Sequence, residues 1–121
     1  MRKAILSNST FSEEAINEEL RGYGIDTSRF EFVISTSEYG FRKPDKRIFQ
    51  LALKKLGLDN NQVWYIGNSF KYDVIGAGNA GIQAIWFNKQ ENSVDRNKDN
   101  RTFLEVKSYK EIKDYLQDII R

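Results

Sequence analysis

Short apolar runs alternate with helical stripes along this chain, and their order predicts its elements. Ala4, Ile5 and Leu6 read as a strand that runs straight into Ser7, Asn8, Ser9 and Thr10, a loop able to offer hydroxyl and amide groups. The stretch SEEAINEELRGYG then reads as a helix: Thr10 or Ser12 can cap it, Glu13 and Glu14 suit its positive end, and Gly22 or Gly24 can end it. Ile16 and Leu20 give this helix a thin apolar stripe. FEFVIST, rich in aromatic and β-branched residues, is a strand candidate. In KPDKRIFQLALKKLG the residues Ile48, Phe49, Ala52, Leu53 and Leu56 recur at helical spacing, Pro44 suits the first helical turn, and Gly57 suits the position past the end.

The pattern then repeats. VWYIG is apolar without alternation, as expected of a strand covered on both faces, and Trp64, Tyr65 and the later Trp86 read as core or near-core packing. YDVIGAGNAG predicts a short helix whose Gly76 and Gly78 lower its propensity and let a neighbouring backbone come close. IQAIWFN and TFLEVKS predict two further strands, and SYKEIKDYLQDII a closing helix with a capping box of Ser108 and Glu111 and a stripe of Ile112, Tyr115, Leu116 and Ile119. Residues 89–101 are almost wholly polar and predict a mobile loop. Strands alternating with helices imply parallel βαβ units, hence an α/β fold, and 121 residues suffice for a single domain, 1–121.

Composition narrows the chemistry. The 19 basic and 17 acidic residues nearly cancel to a net charge of +2, and no basic stripe with interleaved aromatics marks a nucleic-acid partner. No apolar run approaches the roughly 18 residues of a membrane span, so the expectation is a soluble protein with no membrane partner. With no Cys and no His, the chain has no thiolate or imidazole zinc site, cysteine nucleophile, disulfide or Ser-His-Asp triad. Absent cysteines fit a reducing compartment such as the cytoplasm. What remains is chemistry by Ser, Thr, Lys, Tyr, Asp or Glu, with a hard, oxygen-liking cation as a possible helper.

In parallel α/β sheets, ligands bind outside the carboxyl ends of the strands, so the loops that follow strands carry the candidates. They are Ser7 to Thr10, then Arg42-Lys43 before a helix start, then IGNSFKYD with Asn68, Ser69 and Asp73. From Ser7 to Lys43, and from Lys43 to Asp73, is about one βα unit of roughly 30 residues, so the three loops are expected at one edge. Hydroxyl and backbone donors, an ammonium at a helix start and an acid able to hold Mg²⁺ are what a phosphoryl group needs. Taken singly, each feature has a plainer reading: Ser7 in a turn that caps the next helix, Lys43 as a solvated surface lysine, Asp73 as a helix-dipole partner. Their combination and order favour the phosphoryl-binding reading. The surrounding Arg42, Lys46 and Arg47 fit a phosphate-facing or solvated helix start better than a nucleic-acid patch.

These residues resemble the haloacid dehalogenase superfamily, whose members are mostly Mg²⁺-dependent phosphatases. AILSNS is similar to its second motif, RKPDKRIF to its third and GNSFKYDVIGAGNAG to its fourth, over roughly residues 3–88. The resemblance implies a three-layer α/β/α Rossmann-like core with a mainly parallel sheet. By the resemblance Ser7 and Lys43 are catalytic, with Ser7 and the Asn8 backbone bonding phosphoryl oxygens and Lys43 neutralising charge, while Asp73 holds Mg²⁺. Asn68 stands where many members have an aspartate, which predicts a weaker or rearranged metal site. The family's first motif, D-x-D-x-[T/V], supplies the aspartate nucleophile that forms an aspartyl-phosphate, and no D-x-D occurs here. The expectation is therefore a truncated, carboxy-terminal part of a hydrolase acting on small phosphorylated molecules. It would lack the central nucleophile strand and the cap, be inactive alone, and hold Mg²⁺ weakly or not at all. In the family's sheet the missing strand lies between the Ser7 and Asn68 strands. These two are thus expected to pair directly, or to receive a strand from the missing N-terminal segment or a second copy in a strand-exchanged dimer. The alternative function is a non-catalytic phosphate-binding or protein-interaction module.

Overall fold

The computed structural model of the chain describes residues 2–89, 103–108, 110–112 and 114. The backbone groups into two compact units, Met1–Leu58 and Asp59–Arg121.

The first unit is a βαβ motif followed by a helix. Strand β1 (Ile5–Ser7) leads into helix α1 (Glu13–Gly22), then strand β2 (Val33–Ser35) and helix α2 (Lys46–Leu56). β1 and β2 are parallel, with Ile5, Leu6 and Ser7 in register with Val33, Ile34 and Ser35. Of the two caps open for α1, Ser12 is used: its Oγ accepts from Ala15 N, and Glu13 and Glu14 occupy the first turn. Gly24, at φ +82°, turns the chain after α1, so that Gly24 N donates to Arg21 O and Ile25 N to Leu20 O. The same left-handed geometry at Gly57 closes α2, with Gly57 N bonded to Lys54 O and Leu58 N to Leu53 O. The α2 stripe is realised, with Ile48 and Phe49 buried and Ala52, Leu53 and Leu56 half-buried. Pro44 does not enter the first helical turn: Asp45 is the N-cap, its carboxylate accepts from Arg47 N, and Pro44 precedes it across a cis peptide with Lys43.

The second unit is a three-stranded parallel sheet in the order β3-β4-β5, from strands β3 (Trp64–Gly67), β4 (Gln83–Phe87) and β5 (Phe103–Val106). Ile85, Val106 and Ile112 form its core with Phe87 and Leu104 packed against them, while Trp86 is fully buried. Between β3 and β4 the expected α-helix starts instead as a π-helical turn, Phe70–Ile75, and only then becomes the short helix α3 (Gly76–Asn79). Ser69 O accepts from both Asp73 N and Val74 N, which widens the turn. Ser108 Oγ caps Glu111 N as expected, but the Glu111 carboxylate accepts from Lys107 N, one residue earlier than in a capping box. Residues 90–101 of the polar stretch, and Tyr115, Leu116 and Ile119 of the closing stripe, lie outside the described residues.

One expectation about β3 is corrected. Its side chains alternate in exposure rather than being covered on both faces: Trp64 and Ile66 are 40% and 41% exposed, so of the tryptophans only Trp86 is core. All described strand pairings are parallel, as the alternating pattern predicts. No helix among the described residues is long and apolar enough to cross a membrane.

Candidate functional site

In the first unit, Ser7 ends β1 and the loop that follows is tied down on two sides. Ser9 N donates to Thr36 Oγ1, and Phe11 O accepts from the hydroxyls of Ser35 and Ser37 at 2.5 and 2.8 Å. The loop is therefore more than a cap for α1. Asn8 makes the connection that matters most: its Nδ2 donates to Lys43 O at 3.1 Å and its Oδ1 accepts from Lys43 N at 3.0 Å. This reciprocal pair satisfies both backbone groups of Lys43 and sets them beside the residue that follows Ser7. Ser7, Asn8 and Lys43, which the sequence placed in one site, are thus brought together by β1 and the run-in to α2. Lys43 is not a solvated surface lysine but buried, at 9% exposure. The Asn8 side chain does this, whereas the resemblance assigned only its backbone.

The neighbouring cations behave otherwise. Arg47 turns back onto the N-cap of its own helix, with a 2.6 Å ion pair to Asp45, and its guanidinium lies 4.9 Å from the Phe41 ring centre. Hydrogen bonds from the Arg47 side chain and backbone hold the Asp45 carboxyl down at about 2.

In the second unit the IGNS loop follows β3. Asn68 is exposed, and its backbone carbonyl accepts from Trp86 Nε1 at 3.1 Å. Phe70, at the start of the π-helical turn, packs edge-on against Trp86 and Phe103, at 5.1 and 5.2 Å between ring centres. Trp86, read from the sequence as core, also anchors this loop. Asp73 is buried at 4% exposure, and both its carboxylate oxygens accept: Oδ1 from Tyr65 OH and Oδ2 from Ser69 N, each at 2.9 Å. Burial first, and then the charge and hydrogen bond of Asp73, push the Tyr65 phenol far above its usual ionisation range, so it acts as a donor. Gly67 lies against the same carboxyl group, where a Cβ would overlap Asp73. Sequence reasoning took Tyr65 for packing. The available signal was its polar tip in an otherwise apolar strand, two residues from a glycine and therefore on the same face.

Asp73 and Asn68 carry the hard oxygen donors that Mg²⁺ takes. By donor type the pair fits such an ion with water in most positions. Among the described residues no cluster of three or more acidic side chains exists to form a denser site.

Known proteins match this chain in both sequence and fold. The sequence profile of the haloacid dehalogenase-like hydrolases matches residues 1–87. A glyceraldehyde 3-phosphate phosphatase of Methanothermobacter thermautotrophicus is 36% identical over 77 residues, 64% of this chain and 34% of that protein. A phosphoserine phosphatase of Thermus thermophilus is 33% identical over 86 residues, 71% of this chain and 33% of that protein. The chain thus spans about a third of the length of these curated relatives. The crystal structure of an uncharacterised protein from Listeria monocytogenes serotype 4b superposes with a TM-score of 0.82 at 30% identity, covering 97% of this chain and 70% of that one. The parallel α/β architecture, the tethered lysine after the Ser7 strand and these matches lead to one statement: the chain belongs to the haloacid dehalogenase-like hydrolases.

Proposed function

We propose that these residues form part of a Mg²⁺-dependent phosphatase acting on small phosphorylated molecules, the class to which the names of the two phosphatase relatives point. The observation that carries this reading is the reciprocal pairing of Asn8 with the Lys43 backbone, which holds a buried lysine beside the Ser7 loop. In this reading the Ser7 hydroxyl and Asn8 N–H donate to phosphoryl oxygens, and the Lys43 ammonium neutralises the charge that the group carries and develops. Asp73 and Asn68 would hold Mg²⁺, which when bound supplies charge neutralisation to a phosphoryl group. Holding the Lys43 backbone limits where its ammonium can go, which is how positioning contributes to rate. The nucleophile is assigned to a residue outside these 121, because no D-x-D occurs among them. The stretch alone is expected to bind phosphate weakly and to turn nothing over.

The test uses the protein at its natural length. Lys43→Ala and Asp73→Ala are each expected to lower kcat/KM toward a phosphomonoester by about 100-fold or more, an electrostatic loss of about 3 kcal/mol, and Ser7→Ala by less, since backbone donors remain. Full activity in both the Lys43 and Asp73 variants would refute the assignment. Saturable binding of a phosphorylated ligand without turnover in the whole protein would point instead to a binding module.

A further inference from the structure

We propose that Tyr65 is a positioning residue: its phenol holds Oδ1 of Asp73 while Ser69 N–H holds Oδ2, fixing the plane of the carboxylate against the Asn68-Ser69 loop. The argument starts from β3. Trp64 and Ile66 point to its exposed face, so Tyr65 and Gly67 share the other. On that face Gly67 leaves the space that the Asp73 carboxyl group occupies, and Tyr65 supplies the donor that meets it. Neither residue alone accounts for the arrangement: without the glycine the carboxyl cannot approach the strand, and without the phenol Oδ1 loses the strand-side donor that helps to set the carboxylate plane.

Packing does not require the hydroxyl. A phenylalanine would fill nearly the same volume and leave a carboxylate oxygen at a residue only 4% exposed without this donor. The Ser69 N–H bond uses the other oxygen and closes the IGNS loop onto the π-helical turn, in which Ser69 Oγ also accepts from Tyr72 N. Tyr65 therefore acts on the loop through Asp73 and touches no substrate itself. Its consequence for cation binding rests on the reading of Asp73 as a metal ligand; the positioning of Asp73 does not.

The test compares the full chain with its Tyr65→Phe and Asp73→Asn variants by three measurements: amide hydrogen exchange at Ser69 and Ile85, the ¹³C shift of the Asp73 carboxyl carbon, and Mn²⁺ binding followed by electron paramagnetic resonance with the metal alone. Tyr65→Phe is expected to speed Ser69 exchange about ten-fold or more and to move the Asp73 carboxyl shift, with Ile85 in the core of β4 unchanged. A purely structural tyrosine would instead accelerate Ser69 and Ile85 together and leave the carboxyl shift in place, and that result overturns the proposal. Where the parent binds Mn²⁺ and Asp73→Asn abolishes binding, Tyr65→Phe is expected to weaken it several-fold, and undiminished binding also overturns the proposal. Where Asp73→Asn leaves Mn²⁺ binding as it was, or the parent binds none, the metal reading of Asp73 fails, and the exchange and carboxyl measurements decide on Tyr65 alone.

Discussion

Replacing Gly67 with alanine tests the close contact between β3 and Asp73 most directly. The new Cβ would fall inside the contact distance of the Asp73 Cβ, Cγ and Oδ2 atoms. A change of rotamer relieves the overlap with the carboxyl group but not with the Asp73 Cβ, whose place is fixed by the backbone. The π-helical turn has to move away from β3, or the strand has to bend. Either way the bonds from Tyr65 OH and Ser69 N, both 2.9 Å, are stretched or lost. Overpacking costs about 1–3 kcal/mol and a hydrogen bond to a charged group contributes about 1.5–3 kcal/mol; the two losses share one displacement, so the expected total is about 2–4 kcal/mol rather than their sum. Urea unfolding of the full chain measures it, with the fluorescence of buried Trp86 as the probe and Trp64→Phe as the common background. Gly40→Ala is the control, because no heavy atom lies within 4 Å of its Cβ and its backbone is not left-handed; it should stay within about 0.5 kcal/mol. In an Asp73→Ala background the Cγ and Oδ2 overlaps disappear while the Cβ overlap stays, so the cost of Gly67→Ala should fall by at least about 1 kcal/mol. Equal stabilities of the Gly67 and Gly40 variants, or no coupling to Asp73, would refute the close-contact argument.

The first unit carries two further predictions. Asn8→Ala removes both bonds to the Lys43 backbone and should lower unfolding stability by about 1–3 kcal/mol, read as a shift in urea midpoint; a change below about 0.5 kcal/mol would make the pairing incidental to stability. Asp45 has its carboxyl held at about 2, below the 3.8 of an unperturbed aspartate. Its contribution is therefore fully present above about pH 4 and lost as the pH falls toward about 2. The stability difference between the parent and Asp45→Asn should be constant near neutrality and shrink in that acid window, and a difference independent of pH would sink the assignment.

Much of the fold was legible because the apolar pattern is strong where elements are simple. The strands at Ile5–Ser7, Val33–Ser35, Trp64–Gly67, Gln83–Phe87 and Phe103–Val106 fall where short apolar runs predicted them, and α2 ends where Gly57 said it would. The failures arise where a specific hydrogen bond overrides a propensity or a periodicity. Pro44 fits a first helical turn by its fixed φ, yet Asp45 wins the cap because its carboxylate reaches Arg47 N. The turn after Asn68 opens into a π-helix because Ser69 accepts two backbone donors while Asp73 bonds back to Ser69 N and Tyr65, and no periodicity records such bonds. The exposure of Trp64 and Ile66 was equally hidden, since a strand's sequence shows that its side chains are apolar but not what covers them.

The candidate site was legible by type but not by support. Order and spacing singled out Ser7, Lys43 and Asp73; the Asn8 side chain that holds the Lys43 backbone acts across 35 residues, which no single motif spans, while the Tyr65 hydroxyl lies only 8 residues from Asp73 but in a strand that reads as packing. Lys43 and Asp73 are both buried, and each is tied by an amide or hydroxyl group that ordinary packing would not need. Burying a charged group costs free energy unless its surroundings compensate, and for Asp73 the Tyr65 hydroxyl and the Ser69 N–H are part of that compensation. The bonds hold the Lys43 backbone and the Asp73 carboxylate in place. For Asp73 the contacts that close the loop are the same contacts that orient the carboxylate. A variant such as Tyr65→Phe tests this, because it removes one orienting bond and leaves the aromatic ring in place.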